Sequence, residues 1–160
     1  MAKQKITPFL WFDGKAEEAI NLYTSIFKNS KIISISHWGE GSPFPKGQVM
    51  TGSFELDEQR FYAFDAGPMF KFTEATSFFV NCDTQEEIDY FWEKLTADGG
   101  QESMCGWLKD KFGLSWQIVP NALMEYHNDK DKVKAGRVMQ AMMKMKKIII
   151  ADLENAYEGK

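Results

Sequence analysis

Histidine is nearly absent: His37 and His127 are the only two in 160 residues. Each reads as an ordinary surface or hydrogen-bonded residue, since stable zinc sites usually need three or four protein ligands. Cysteine is as scarce, at Cys82 and Cys105. No apolar run is long enough to span a bilayer, and the N-terminal stretch ITPFLWF is strand-like without the h-region of a signal peptide. The chain is therefore expected in the cytoplasm, where thiols stay reduced and a Cys82–Cys105 disulfide is not expected. Basic blocks are missing too, apart from Lys144, Lys146 and Lys147, which read as a solvated helix face. With a formal charge of −4, nucleic acid is not an expected partner.

What is present is core material. Apolar residues make up 44% and aromatic residues 14%, enough to offset the entropy of ordering one domain of this length. Residues 6–12 read as a strand, punctuated by Asp13 and Gly14. Ala16, Ala19, Ile20, Tyr23, Ile26 and Phe27 then fall at helical spacing, with Asp13 as the expected N-cap. The pattern returns at residues 76–81, another β-type run. Asp83 or Thr84 can cap the helix that follows, Glu86 or Glu87 can close a capping box, and Ile88, Phe91, Trp92 and Leu95 form the buried stripe. Setting Glu17–Glu18 on Glu86–Glu87 superposes Phe9 on Phe78 and Trp11 on Val80 without a gap, a weak internal repeat.

Strands follow each helix. In the first half they are residues 32–38, 49–56 and 61–65, with residues 57–60 as a hairpin turn. In the second they are residues 101–105, 107–109 and 114–119, with residues 110–113 as the corresponding turn. Each half is thus β-α-β-β-β, and the fold class is α+β. The expected organisation is one domain over 1–160, with module one at 5–66, module two at 75–120 and a helical extension at 121–160. Residues 39–47, rich in Gly and Pro, read either as a lid or as a plain surface loop. In the extension, helices are expected over 122–128, 132–145 and 148–157, and their methionines read as packing or as an adaptable surface.

The stretches ITPFLWFDGKAEEAINLY, FFVNCDTQEEIDYFWEKL, CGWLKDKFGLSWQIVP and RVMQAMMKMKKIIIADLENAY together resemble the PhnB-like branch of the vicinal-oxygen-chelate superfamily, which also contains glyoxalases, bleomycin-resistance proteins and extradiol dioxygenases. The resemblance covers essentially the whole chain and is most specific at residues 105–120. It implies that the two βαβββ modules curve into an open mixed sheet around a cavity that holds a small molecule, and that the protein is a homodimer. The branch also carries the name 3-demethylubiquinone-9 3-methyltransferase. Methyl transfer from S-adenosylmethionine would ordinarily need a strand, a glycine-rich turn and a helix within a parallel α/β sheet, and the sequence does not offer that order.

Metal-dependent members of the superfamily place ligands on the first, fourth, fifth and eighth strands. Residues 6–12 and 76–81 contain no His, Asp, Glu or Cys. The eighth strand offers Gln117 where such relatives carry glutamate, and the repeat, with Leu56 set on Leu108, pairs Gln117 with Asp65. No metal and no other cofactor is therefore expected. Period-two alternation puts Ser115 and Val119 beside Gln117 on the cavity face, groups Phe61, Ala63 and Asp65 there, and adds Ser77, Phe79 and Asn81 with Pro8, Leu10 and Phe12. Such a face is mostly apolar with a few polar handles, as small-molecule sites usually are. Asp65 reads either as a general base, its pKa raised by burial beside Phe61 and Phe64, or as the cap of the turn before Ala66-Gly67-Pro68. Cys105 reads as a nucleophile or as an inert buried thiol. Trp107 and Trp116 read as stacking platforms or as helix packing. The expected ligand residues are Gln117, Ser115, Ser77, Phe79, Phe61 and Trp107, with Asp65 and Cys105 as candidate catalysts.

Overall fold

Leu10 and Phe12 are buried while Phe9, the first residue of the strand, is exposed, so the first strand already sorts its side chains onto two faces. The computed structural model describes residues 4–160. Its chain divides into two compact units, one ending at Phe72 and the other running from Thr73 to Lys160.

The first unit contains β1 (Phe9–Phe12), α1 (Ala16–Ile26), β2 (Lys31–His37), β3 (Val49–Leu56) and β4 (Gln59–Asp65). Its four-stranded mixed sheet has the order β1-β4-β3-β2, with β1 parallel to β4 and the other neighbours antiparallel. Helix α1 buries Ala16, Ala19, Ile20, Tyr23 and Ile26, and Glu17 and Glu18 in its first turn suit the positive end of its dipole. Gly52 leaves room for the Ile20 side chain of the helix: a Cβ there would fall 2.4 Å from Ile20 Cδ1. The N-cap position is Lys15, which makes no side-chain cap, so the expected cap by Asp13 is corrected. The amide of Ala16 instead donates to Asp65 Oδ1 from the end of β4.

The β3–β4 hairpin turns on Asp57 and Glu58 alone, both left-handed with φ of 45° and 64°. This is the twist a two-residue hairpin needs, and it places Gln59 and Arg60 in β4 rather than in the turn. A left-handed L-residue costs about 1–2 kcal/mol, part of which glycine recovers. Glu58→Gly is therefore expected to stabilise the protein by about 0.5–1 kcal/mol, read as a higher urea midpoint; an unchanged or lower midpoint would contradict the strain.

The second unit repeats the plan with β5 (Ser77–Cys82), α2 (Gln85–Thr96), β6 (Gln101–Glu102), β7 (Trp107–Lys109) and β8 (Ser115–Pro120). Its sheet order, β5-β8-β7-β6, matches the first, again with the outer strand parallel to its neighbour. Each unit is thus a βαβββ module in an α+β fold. The α2 start follows expectation: Thr84 Oγ1 accepts from the Glu87 amide at 3.2 Å, and Glu87 Oε2 accepts from the Asp83 amide at 2.7 Å. Ile88, Trp92 and Leu95 are the buried stripe of this helix.

Three helices follow in this unit, α3 (Asn121–His127), α4 (Lys132–Met142) and α5 (Ile150–Glu158). Leu123, Val138, Ile148 and Leu153 form one buried cluster with Val119 of β8, so the extension is built onto the end of the second sheet. The extension is also tied to the 103–107 turn. Cys105 and Gly106, with φ of 59° and 81°, make a two-residue turn whose amides donate to Met145 O at 2.7 Å and Lys146 O at 2.8 Å. A Cβ on Gly106 would meet the Ile118 carbonyl oxygen at 2.7 Å, so side chains are excluded there twice over.

Candidate functional site

The two sheets each have one face under a helix and one face away from it, and the helix side can be read from burial. In the second unit, Leu108 and Trp116 are buried with Ile118 toward α2. The alternate residues lie on the opposite face. Cα register there sets Ser77 beside Ser115, Phe79 beside Gln117, and Gln117 beside Trp107. Five of the expected ligand residues, Gln117, Ser115, Ser77, Phe79 and Trp107, therefore share one surface.

Gln117 Nε2 donates to Ser77 Oγ at 2.9 Å, across the parallel β5–β8 pair. Phe79 is 44% exposed at the same level of the sheet. Ser115 is fully buried, and its hydroxyl has no hydrogen-bond partner among the described residues. Lys109, beside Ser115 in the register, forms an ion pair with Glu74. That hydrogen bond from Lys109 holds the Glu74 carboxyl below the usual carboxylate range. The face therefore offers an aromatic platform, an amide and hydroxyls, with its one lysine already engaged.

The first sheet corrects the sequence reading. Phe61, Ala63 and Asp65 alternate into the buried side of β4, and Phe61 stacks on Phe54 with ring centroids 5.6 Å apart. Leu10 and Phe12 lie on that same helix side. Phe61 is thus a core residue of α1 packing and not part of an open face. The residues left facing away from the helix are Phe9, Trp11, Tyr62 and Phe64, joined by Phe70. Phe64 meets both Phe9 and Trp11 edge-on at 4.9 Å, and Trp11 meets Phe70 at 4.9 Å. Sequence reasoning missed this aromatic cluster, although the alternation of Phe9 and Trp11 with Leu10 and Phe12 carried the signal.

For β4 the cause is the setting of Leu56 on Leu108, since two residues join β3 to β4 and five join β7 to β8; for β1 it is one residue. Three residues (Asp13, Gly14, Lys15) join β1 to α1, whereas two (Asp83, Thr84) join β5 to α2. A gapless repeat anchored on the helices therefore slips the strands by one position, and a one-residue slip moves every side chain to the other face. Matching the buried strand ends, Phe12 and Cys82, makes Phe9 the counterpart of Phe79. Gln117 then corresponds to Tyr62 and not to Asp65.

Asp65 is 2% exposed, with Oδ1 accepting from the Ala16 amide at 3.0 Å and Oδ2 from the Val49 amide at 2.9 Å. Both oxygens accept from backbone amides at the helix start and at β3 rather than from the Ala66-Gly67-Pro68 turn, so the carboxylate ties three elements together. The second unit has an equivalent that the sequence reading passed over. Asp110 is 3% exposed; Oδ1 accepts from the amides of Phe112 and Leu114, and Oδ2 accepts from Trp116 Nε1 at 2.9 Å. That bond, and the burial of Trp116, make Trp116 a packing residue.

Cys105 occupies the left-handed turn position before Gly106 and is half-buried. Its amide anchors the extension, while no histidine bond to its thiol is seen among the described residues. Cys82 is fully buried, and burial, reinforced by Glu87 and Asp83, pushes its thiol up to about 12. His37 Nε2 lies 2.9 Å from Glu17 Oε2 on the surface. Among the described residues no three His, Cys, Asp or Glu side chains are grouped so as to hold a metal ion, and the Gln117 position is engaged with Ser77. The 39–47 loop is bonded to itself and to the flanking Trp38 and Gln48, and Trp38 in turn reaches β4. Trp38 exchanges backbone bonds with Gly47 and Gln48, its indole donates to Asp65 O at 3.0 Å, and its ring lies 5.1 Å from that of Phe44.

No helix among the described residues is long and apolar enough to cross a membrane. No curated protein matches the chain. Solved structures do. A PhnB protein from Bacillus cereus is 45% identical, covering 73% of this chain and 99% of its own, with a TM-score of 0.69. Protein PA1353 from Pseudomonas aeruginosa is 22% identical over 74% of this chain and 98% of its own, with a TM-score of 0.63. The fosfomycin resistance protein FosX from Listeria monocytogenes is 15% identical over 81% of this chain and all of its own, with a TM-score of 0.59. The last two share the fold alone. The family model described as 3-demethylubiquinone-9 3-methyltransferase matches residues 4–119, and with it and the Bacillus cereus relative in agreement, the chain belongs to that PhnB-like family.

Proposed function

We propose that this chain binds a small molecule against the open face of its second sheet without a metal ion. In this reading Phe79 and Trp107 supply ring contact, and Gln117, Ser77 and Ser115 supply hydrogen bonds. The observation that carries it is the Gln117–Ser77 bond at 2.9 Å beside a half-exposed Phe79. An amide so held is pre-oriented, and an aromatic ring next to it is the combination of apolar area and placed polar groups that ligand sites use. A cytoplasmic homodimer belongs to the same proposal and rests on the family resemblance.

A second reading, stoichiometric sequestration in the manner of bleomycin-resistance proteins, is favoured by what this face carries. Its amides and hydroxyls bind well but are weak acids and bases, and Lys109 is engaged by Glu74. The methyl transfer in the family's name finds less support, because each sheet has a single parallel pair rather than a parallel α/β sheet.

Native mass spectrometry and elemental analysis of the untagged protein test the proposal together. The expected result is a metal-free dimer that retains added mass, and the Phe79→Ala/Gln117→Ala variant is expected to lose that mass. One divalent metal per chain would end the metal-independent reading. Release of the retained compound unchanged would favour sequestration, and release of a converted product would favour an enzyme.

A further inference from the structure

The polar groups on the second sheet's open face are all uncharged except one, and that exception is neutralised. Strands β5, β7 and β8 carry Lys109 as their only ionisable side chain on this face, and Glu74 holds it in an ion pair. A carboxylate or phosphate placed beside Gln117 would lose water and gain no free cation from these strands, and an uncompensated charge out of water is strongly penalised. A neutral group avoids that penalty.

The Gln117–Ser77 pair also specifies a pattern. With Nε2 donating to Ser77 Oγ, the Gln117 carbonyl remains an acceptor and the Ser77 hydroxyl proton remains a donor. The opposite orientation of the amide leaves one donor and one acceptor as well. An independent observation points the same way: the Ser115 hydroxyl, next to Ser77 in the register, is buried with no partner among the described residues. Leaving such a group unpaired costs about 1–3 kcal/mol, which a polar atom brought by a ligand can recover.

We infer that the ligand of this face is an uncharged planar molecule with a donor and an acceptor on one edge, of the carboxamide or lactam class. This deepens the binding proposal above and rests on it. Phe79 and Trp107 take the ring, and Gln117 and Ser77 take the edge.

Matched pairs of fragments, benzamide with benzoate and nicotinamide with nicotinate, test it by two-dimensional amide NMR on the full chain. The neutral members are expected to shift the resonances of Ser77, Phe79, Trp107 and Gln117 at concentrations at least tenfold below the acids. Gln117→Leu and Ser77→Ala, each checked for an otherwise native spectrum, are expected to weaken that binding at least tenfold. If the acids shift the same resonances at equal or lower concentration, the neutral class is wrong while the binding face stands. Neutral fragments that bind equally well to both variants also overturn the class. If no fragment shifts these resonances, the binding face falls with it.

Discussion

Asp65→Ala is expected to lower the folding free energy by about 4 kcal/mol, because it orphans two buried amides at about 1–3 kcal/mol each. The two donors, Ala16 N and Val49 N, belong to different elements, so one carboxylate pins the start of α1 and the start of β3 to the end of β4. Against a typical total of about 5–15 kcal/mol, a loss of that size removes much of the stability. Asp65→Asn keeps one acceptor oxygen but turns an NH2 toward the other amide, so it is expected to restore only part of the loss. Urea unfolding of the three proteins reads this directly. An unfolding free energy for Asp65→Ala within about 1 kcal/mol of the parent would show that the carboxylate is not a structural cap and would return it to the search for a base.

Asp110→Ala carries the second large expectation, again about 4 kcal/mol, since three donors lose their acceptor and two of the bonds are buried. Here the loss has a local signature. Trp116 Nε1 donates to Asp110 Oδ2 at 2.9 Å, so its indole N–H resonance should move away from its hydrogen-bonded position as stability falls. The turn at residues 110–114 holds β7 to β8, and these strands supply Trp107, Lys109, Ser115 and Gln117. Fragment binding at the open face should therefore weaken along with stability. An unchanged unfolding midpoint with an unchanged indole resonance would refute the role.

These two carboxylates show where local pattern stops being informative. An aspartate at a strand end before Ala66-Gly67-Pro68 reads equally as a turn cap or a cavity base, because sequence spacing does not say which amides come near it. Ala16 is 49 residues away from Asp65. Asp110 sits in a stretch that does announce a turn, yet its bond to the Trp116 indole depends on how the hairpin closes.

The β-α-β-β-β order of both halves, the α2 capping box, the buried stripes of both helices and the family resemblance were all legible from residue types and spacing, since helix and strand periods and caps are local properties. The composition of the second open face was legible too, because β5 and β8 alternate cleanly and Gln117, Ser115, Ser77 and Phe79 follow from one correct phase. Tertiary structure alone decided the phase of the first sheet: the extra residue in the Asp13-Gly14-Lys15 connection shifts β1 against α1, and a β3–β4 turn of two residues against a β7–β8 connection of five shifts β4 by an odd number, so Phe12, Phe61 and Asp65 lie on the helix side and Phe9, Trp11, Tyr62 and Phe64 on the other. A period of two magnifies a single insertion into a complete exchange of faces, so which residues meet a ligand depends on a connection length that composition and periodicity do not register.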